Sequence, residues 1–414
     1  MKVTHINNAD NTGGAARAAF RIHHSLLNIN IDSQMWVNSK KSDDWTVCGP
    51  EGKLRKGVAQ LRRHLVGPAL KIMKTKNSIL HSPAILPSSW GKQINKSDTD
   101  IAHLHWIGAE MLSIADIGSI KKPVIWTLHD MWAFCGAEHV SWDERWRIGY
   151  DQKNRPSNEK GLDINLWTWK RKLKHWKRPF QIVAPSKWLA KCAQNSVIMK
   201  NWPIEVIPHC VDTKIWKPVE KTLARKLLGL PLDIPLIAFG TYGANSEYHK
   251  GFDLLIEALK YLKDFSRELE IAIFGQSKPK NDPNLGFPIH FMGHFYDDLS
   301  LRIFYSAIDI LIVPSRKEAF GQTAIESMAC STPVVAFGST GLLDIIDHKD
   351  SGYLAKPYDS EDLAEGIRYI LESSDYNRIS QNAKKKVATF FDSNVVAERY
   401  LELYKRVLNE RGIN

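Results

Sequence analysis

Two glutamates eight positions apart, Glu318 and Glu326, bracket the stretch of this sequence that is richest in chemistry: Pro314-Ser315-Arg316-Lys317-Glu318-Ala319-Phe320-Gly321-Gln322-Thr323-Ala324-Ile325-Glu326. A strand ends at Pro314, a loop carries Gly321, and a helix then takes in Glu326. Carboxylates accept hydrogen bonds, so the pair suits sugar and ribose hydroxyls. The first N–H groups of such a helix, around Phe320 and Gly321, lack intrahelical partners and suit phosphate oxygens. Spacing alone leaves open a blander pair, one glutamate favoured by the helix dipole and one solvated.

Other residues offer matching chemistry. Lys250, in Lys250-Gly251-Phe252-Asp253-Leu254-Leu255, is a cation just before a helix. Gly13-Gly14 lies in the first strand-to-helix turn, where glycine permits close approach of the backbone to a phosphate. Its spacing does not match a dinucleotide GxGxxG fingerprint. His129 follows a buried strand, and Asp130 beside it could orient or charge the imidazole. His105 also ends a strand and would line the acceptor side. Asp98-Thr99-Asp100 resembles a metal-binding DxD, but it precedes a strand and reads as a solvated turn. No cluster has metal-ligand spacing, so no metal dependence is expected.

These residues need elements to position them. Strands are expected at Lys2–Ile6, Gln34–Val37, Ile101–His105, Val124–Leu128 and Gln181–Ala184, and Glu205–Pro208 ends the first domain. A second series follows at Leu236–Phe239, Glu270–Phe274, His290–Met292, Ile310–Val313 and Pro333–Ala336. Helical stretches alternate with both series: Ala15–Leu27, Leu166–Arg178, Phe252–Leu262, Leu299–Ala307, Thr323–Ala329 and Ser360–Ser373. Residues 141–163 read as an excursion loop, and Ser393–Arg411 as one long helix. Two tandem βαβ series imply an α/β chain with two Rossmann-like, doubly wound parallel sheets. Ligands in such sheets sit at the carboxyl ends of strands.

The bulk numbers agree. A chain of 414 residues, 43% hydrophobic and 24% charged, is long enough for two large domains. Net charge is +11, but residues 1–210 carry 31 basic against 17 acidic side chains, whereas the rest is nearly balanced. One half therefore suits an anionic partner. Five scattered cysteines without CxxC argue against a disulfide framework or a zinc site and fit a reducing compartment. No apolar run is long enough to span a membrane or to resemble a secretory signal. The expected location is the cytoplasm, extending to peripheral contact with the inner face of the cytoplasmic membrane.

Glu-x7-Glu with Phe-Gly inside, then Cys-Ser-Thr-Pro-Val-Val-Ala and Gly352-Tyr353-Leu354, resembles the retaining GT-B glycosyltransferases of the large family numbered four. Ile207-Pro208-His209-Cys210-Val211-Asp212, the Lys250-Gly251 motif, Gly13-Gly14-Ala15-Ala16 and Trp126-Thr127-Leu128-His129-Asp130 continue the resemblance in the family's order. It implies an acceptor-side domain (1–212), a donor-binding domain (213–392) facing it across a cleft, and a final helix (393–414) packing back on the first. It implies transfer of a hexosyl group from a nucleoside-diphosphate sugar to a glycan or lipid-linked acceptor, in bacterial surface-polysaccharide assembly such as O-antigen. No cofactor is expected. Glu318 would bind sugar hydroxyls near the reacting carbon and Glu326 the ribose. The backbone of Phe320 and Gly321 would hold donor oxygens, Lys250 would neutralise the diphosphate, and His129 would sit near the sugar.

The pattern also departs from the family. An arginine expected soon after Gly240 is absent: Thr241 and Tyr242 follow, and His249 precedes Lys250. His249 or Arg316 are the candidate substitutes. The usual Asn-Gly of the interdomain turn is His209-Cys210, and Asp344 stands where the family has glutamate.

The basic half contains Leu166, Trp169, Leu173 and Trp176 on one helical face flanked by lysines and arginines, and a similar stripe (Leu54, Val58, Leu61, Leu65) within 53–76. Either helix would suit an anionic membrane surface, or would pack its stripe on the core. Two further readings are a nucleotide-sugar epimerase, whose acid and base groups on both sugar faces cannot be placed, and a nucleic-acid-binding protein. The second is disfavoured because the aromatics show helix-face spacing and no strand platform, so no nucleic-acid partner is expected.

Overall fold

The computed structural model describes residues 1–240, 248–265, 268–279 and 284–412, with the backbone alone at 54, 55, 60, 63 and 69. Thr241 and Tyr242 lie outside the described residues. The chain divides into two units: Met1–His209 with Val396–Asn414, and Cys210–Val395.

The first unit is built on a seven-stranded sheet: β1 (Lys2–Ala9), β2 (Asp32–Ser39), β3 (Val47–Cys48), β4 (Ile101–Leu104), β5 (Val124–Thr127), β6 (Gln181–Ala184) and β7 (Ile204–Val206). All pairs are parallel, in the order β3-β2-β1-β4-β5-β6-β7. β4 and β5 are buried throughout, which is why they read as continuous apolar runs rather than alternating ones. β1 is longer than the sequence suggests. It continues through Asn7 and Asn8 to Ala9, because β2 pairs along its whole length.

The second unit repeats the plan with six strands: β8 (Leu236–Gly240), β9 (Glu270–Phe274), β10 (Ile289–Gly293), β11 (Ile310–Val313), β12 (Val334–Phe337) and β13 (Gly352–Ala355). Their order is β10-β9-β8-β11-β12-β13, again all parallel. Two apolar clusters cover its two faces, one around Phe304, Ile325 and Phe391, the other around Phe239, Leu259 and Ile367. In each sheet the chain winds outward in both directions from one central pair, β1/β4 and β8/β11. Crevices at such switch points are where doubly wound sheets bind ligands.

The structure sharpens four of the sequence readings. Three of the four stripe residues at the helix Ile164–His175 face inward: Leu166, Trp169 and Trp176 are buried, Leu173 is exposed, and Trp176 Nε1 donates to the Ile114 carbonyl at 2.9 Å. Those three side chains belong to the core and are not available to a headgroup layer. The helix Lys53–Leu65 is the opposite case, with Val58, Leu61 and Leu65 all more than half exposed. The Asp98–Asp100 turn is not merely solvated: Asp98 pairs with Lys2 Nζ at 2.8 Å and Asp100 accepts from the Lys2 amide at 2.7 Å. The long C-terminal helix spans Ser393–Asn409, and from Val396 onward it belongs to the first unit. There Tyr404 and Tyr400 reach the sheet through His103 and Thr127.

Candidate functional site

In the second unit, Glu318 lies just past β11 at the switch point. Its Oε2 accepts from Lys250 Nζ at 2.8 Å and from the Ser315 hydroxyl at 3.3 Å. Its backbone is held by the Thr340 hydroxyl, 3.1 Å from the Glu318 amide, and by the Gly341 amide, 2.9 Å from the Glu318 carbonyl. Partial burial pushes the carboxyl up, but the Lys250 charge and hydrogen bond, with His249 and Ser315, outweigh it and hold Glu318 below the usual carboxylate range. Glu318 is thus an anion held through its Oε2.

Two glycines allow this approach. Gly251 has φ +70°, and a Cβ there would lie 1.9 Å from the Pro314 carbonyl oxygen. Only glycine lets the turn after Lys250 press against the end of β11, and that contact delivers the lysine to Glu318. Gly321 has φ +121° and caps the helix Gln322–Ala329 without a side-chain hydrogen bond. Phe320, one residue earlier, drives its ring into the core against Phe391.

Glu326 is deeper. It sits in the first turns of that helix, 3% exposed, and accepts from the Tyr305 hydroxyl at 3.1 Å. The two glutamates therefore occupy different environments: Glu318 is paired with a cation at the strand end, and Glu326 is enclosed beside a phenol. Asp344 ends the short helix Thr340–Asp344.

Neither candidate substitute for the absent arginine is available. Arg316 makes a two-point ion pair with Asp253, at 2.7 and 2.6 Å, and its guanidinium lies 3.9 Å from the Tyr248 ring centroid. That bond to Asp253 raises the Arg316 pKa and consumes its charge. His249 is neutral near pH 7, because desolvation and then the neighbouring Lys250 charge push it down to about 4, against the pull of Glu318. Lys250 is the cation placed beside Glu318.

The first unit holds a different kind of site. Gly13, with φ +91°, caps the helix Gly14–Asn28, and a Cβ at Gly13 or Gly14 would meet nothing within 4 Å. Open space on the loop side is compatible with a ligand there. His129 follows β5 and is half-buried, with Nε2 3.1 Å from His105 Nδ1 and its ring stacked on His209 at 4.9 Å. Desolvation lowers His129 to about 4, only partly opposed by Asp130.

Asp130 does not hydrogen-bond to His129, contrary to expectation. One oxygen, Oδ2, accepts from His139 Nδ1 at 2.6 Å and Trp106 Nε1 at 2.8 Å; the other, Oδ1, accepts from the Trp132 amide at 2.8 Å. Burial pushes Asp130 up, but these partners hold it below its ordinary value. Three donors other than His129 thus occupy both oxygens of Asp130.

His139, which the sequence did not single out, also reaches Ser82 Oγ at 2.8 Å. The connectivity Ser82–His139–Asp130 is that of a nucleophile relay, but Ser82 is 1% exposed and its oxygen already accepts from the Ala109 amide at 3.0 Å. It braces the loop rather than attacking a substrate.

A histidine cluster was also not legible in the sequence. His5, His103 and His105 bring ring nitrogens within 4.8 Å of one another. Parallel register places His5 opposite His103 across the β1/β4 pair. Three neutral imidazoles are zinc-type ligands in principle. Here, however, His103 already uses both nitrogens, with the Tyr404 hydroxyl at 2.7 Å and the Thr127 hydroxyl at 2.8 Å.

Known proteins bear on both units. The model of "Glycosyltransferase Family 4" matches residues 39–215, and that of "Glycosyl transferases group 1" matches residues 240–386. An uncharacterized glycosyltransferase of Methanocaldococcus jannaschii is 30% identical over 200 residues, 47% of this chain and 50% of that protein. The N,N'-diacetylbacillosaminyl-diphospho-undecaprenol alpha-1,3-N-acetylgalactosaminyltransferase of Campylobacter jejuni is 29% identical over 170 residues, 40% of this chain and 44% of that protein. The chain thus spans about half the length of the curated relatives it matches. The Anabaena protein HepE, solved in complex with UDP-glucose, superposes with a TM-score of 0.64 at 16% identity, covering 98% of this chain and 100% of HepE. Two parallel Rossmann-like sheets, the ordered motifs and the tandem family matches converge: the chain belongs to the GT-B glycosyltransferases of group 1.

Proposed function

We propose that the protein transfers a hexosyl group, with retention of anomeric configuration, from a nucleoside-diphosphate sugar to a glycan or lipid-linked oligosaccharide in bacterial surface-polysaccharide assembly. The observation that carries this reading is the Lys250–Glu318 pair at the β8/β11 switch point, 2.8 Å apart beside a helix start that has no side-chain cap. The UDP-glucose complex of HepE supports a nucleotide-sugar donor, and the undecaprenol-linked substrate in the name of the Campylobacter relative supports a lipid-linked acceptor.

In this reading the donor diphosphate displaces Glu318 as the partner of Lys250. The lysine then faces oxygens whose negative charge grows as the glycosidic bond breaks. A fixed cation stabilises that transition state more than the ground state. Glu318, released from the lysine, accepts from sugar hydroxyls near the reacting carbon. Glu326 anchors the ribose hydroxyls, and the backbone at Phe320 and Gly321 receives donor oxygens. His129, with Gly13 and Gly14, serves the sugar and phosphate from the first unit. With Arg316 committed to Asp253, Lys250 is the main cation of the phosphate site.

A panel of UDP-, GDP- and dTDP-sugars, assayed for hydrolysis and transfer, tests the reading. One donor class should be turned over, with the product anomer matching the donor by NMR, and Glu318→Ala should remove most turnover. Turnover of none, or full activity in both Glu318→Ala and Glu326→Ala, overturns it.

The helix Lys53–Leu65 extends the proposal to an anionic membrane surface. Val58, Leu61 and Leu65 are exposed among basic residues, the pattern of a helix lying at the headgroup boundary. Among the described residues no helix is long and apolar enough to cross a membrane. Co-sedimentation with anionic liposomes at low salt is expected. No binding, or binding unchanged in Leu61→Glu, rejects it.

A further inference from the structure

Three imidazoles of the first unit are joined edge to edge. His5 Nδ1 lies 2.9 Å from His105 Nε2, and His105 Nδ1 lies 3.1 Å from His129 Nε2. The chain of rings begins in the middle of β1, passes the end of β4 and emerges after β5. His5 is 0% and His105 2% exposed, whereas His129 is half-buried. The links thus run from the core toward the surface.

Burial, reinforced by mutual repulsion, lowers His5 and His105 well below the ordinary histidine range, and burial lowers His129 to about 4. All three are neutral near pH 7. A neutral imidazole has one N–H and one acceptor nitrogen. Both links must therefore run the same way. Either every ring carries its proton on Nδ1 and donates outward, or every ring carries it on Nε2 and donates inward.

The inner end decides between them. His5 Nε2 is enclosed and has no hydrogen-bond partner. The outward arrangement leaves a lone pair there; the inward one leaves an N–H. Orphaned buried N–H groups are rarer in proteins than under-used acceptors. We infer that His105 and His5 are positioning residues that lock His129 as its Nδ1–H tautomer, with Nε2 committed to His105. The edge of His129 left for a substrate is then a donor. It can support a sugar oxygen that gains negative charge, and it cannot take the proton of an acceptor hydroxyl. The general base of the reaction is some other group. The lock stands on the ring contacts and the neutrality that burial imposes; its catalytic consequence rests on the glycosyltransferase reading.

The test uses the full chain labelled with ¹⁵N-histidine, with the tautomer of His129 read from two-bond ¹H–¹⁵N spectra at neutral pH and the resonance assigned by its loss in His129→Gln. The wild type should show Nδ1–H. His105→Phe removes the donor to Nε2, so His129 should shift toward Nε2–H, and kcat should fall roughly tenfold with donor KM within about twofold, as for other lost orienting partners. His105→Gln, whose amide can donate, should restore both the tautomer and kcat; a merely structural role would not give that rescue. If His105→Phe does not fold, His5→Phe interrogates the same chain from its inner end. An Nε2–H signal in the wild type, an unchanged tautomer in these variants, or co-purifying metal bound through His5 and His105 overturns the inference. Nδ1–H with the expected shift, but no donor turned over by the wild type, would leave the lock standing and reject the enzymatic reading.

Discussion

The two sheets wind outward from their central strand pairs in the same way, yet they handle polar groups there by opposite means. At β1/β4 the groups are imidazoles, and desolvation wins: His103 falls to about 3 and His129 to about 4. They persist as neutral rings, His103 bonded to two hydroxyls and His5, His105 and His129 linked to one another. At β8/β11 the groups are charged, and pairing wins: Lys250 holds Glu318, and Arg316 holds Asp253. The first arrangement fixes the direction of a hydrogen bond. The second stores an anion and a cation that a charged ligand can separate. The lesson is that the same crevice can be prepared for neutral hydrogen-bonding recognition or for charge, according to whether a counter-ion lies within about 4 Å.

The largest expected effect breaks the charged side. Glu318→Ala should lower kcat by about 10²–10³-fold, the usual loss for one preorganised transition-state contact. Glu318→Gln, which keeps the shape, should recover less than a tenth of it. Steady-state kinetics with the preferred donor checks this, and near-wild-type kcat in Glu318→Gln would mean the charge is not what matters.

Next is a cation buried in the first unit without a direct ion pair, whereas buried Arg145 is paired with Asp143 and Glu159. Lys172 Nζ donates to the carbonyls of Trp132, Cys135 and Gly136, and it lies 4.0 Å from the Trp132 ring centroid. Desolvation lowers its pKa, and backbone carbonyls rather than a direct ion pair hold it. Lys172→Met should destabilise the first unit by about 3 kcal/mol by leaving buried carbonyls without a donor. Denaturant unfolding reads the loss. Unchanged stability would mean that water reaches those carbonyls.

Acid separates the two units more gently. An unfolded histidine takes up its proton near 6.5, but folded His23 and His103 do so only near 3, and His81 and His129 near 4. The stability these neutral rings carry is complete above about pH 6.5 and is lost as pH falls toward those folded values, at up to about 1.4 kcal/mol per ring per pH unit. The depressed Glu318 carboxyl loses its contribution only below the ordinary carboxylate range, and His249 gives the second unit one ring of the same kind. Amide exchange should therefore accelerate first in β1, β4 and β5 as pH drops from 6.5 to about 5, ahead of β8, β11 and β12. Parallel loss in both sheets would erase the contrast.

The smallest effect sharpens the difference between the two glutamates. Glu326→Gln keeps an acceptor beside Tyr305 and should raise donor KM about tenfold with kcat nearly unchanged, the signature of uniform binding. A fall in kcat equal to that of Glu318→Ala would put both carboxylates at the reacting carbon.

The sequence by itself settled a good deal. Buried parallel strands announce themselves as short apolar runs, so β6, β9 and β11 could be bounded to the residue. The Lys250-Gly251 and Glu318–Glu326 motifs were legible because close backbone approach demands glycine at fixed offsets from the charges it positions. Elements that lack such a signal were missed. β3 is two residues long, and β13 begins with a glycine and carries a partly exposed residue.

What only the tertiary structure decided is who partners whom. Asp130 adjoins His129 in sequence but bonds with His139, Trp106 and the Trp132 amide. Arg316, counted as a spare cation, is taken by Asp253, 63 residues away. His5 and His105 meet across 100 residues of chain. Periodicity gave the helix Ile164–His175 and the helix Lys53–Leu65 similar apolar stripes; the fold buries Leu166, Trp169 and Trp176 of one and exposes Val58, Leu61 and Leu65 of the other. The physical reason is common to all four. A sequence pattern records which side of an element is apolar or charged and how far along it lies. The energy of a polar or apolar group depends on what it meets, and that is set by strand register and crossover, which bring distant residues together.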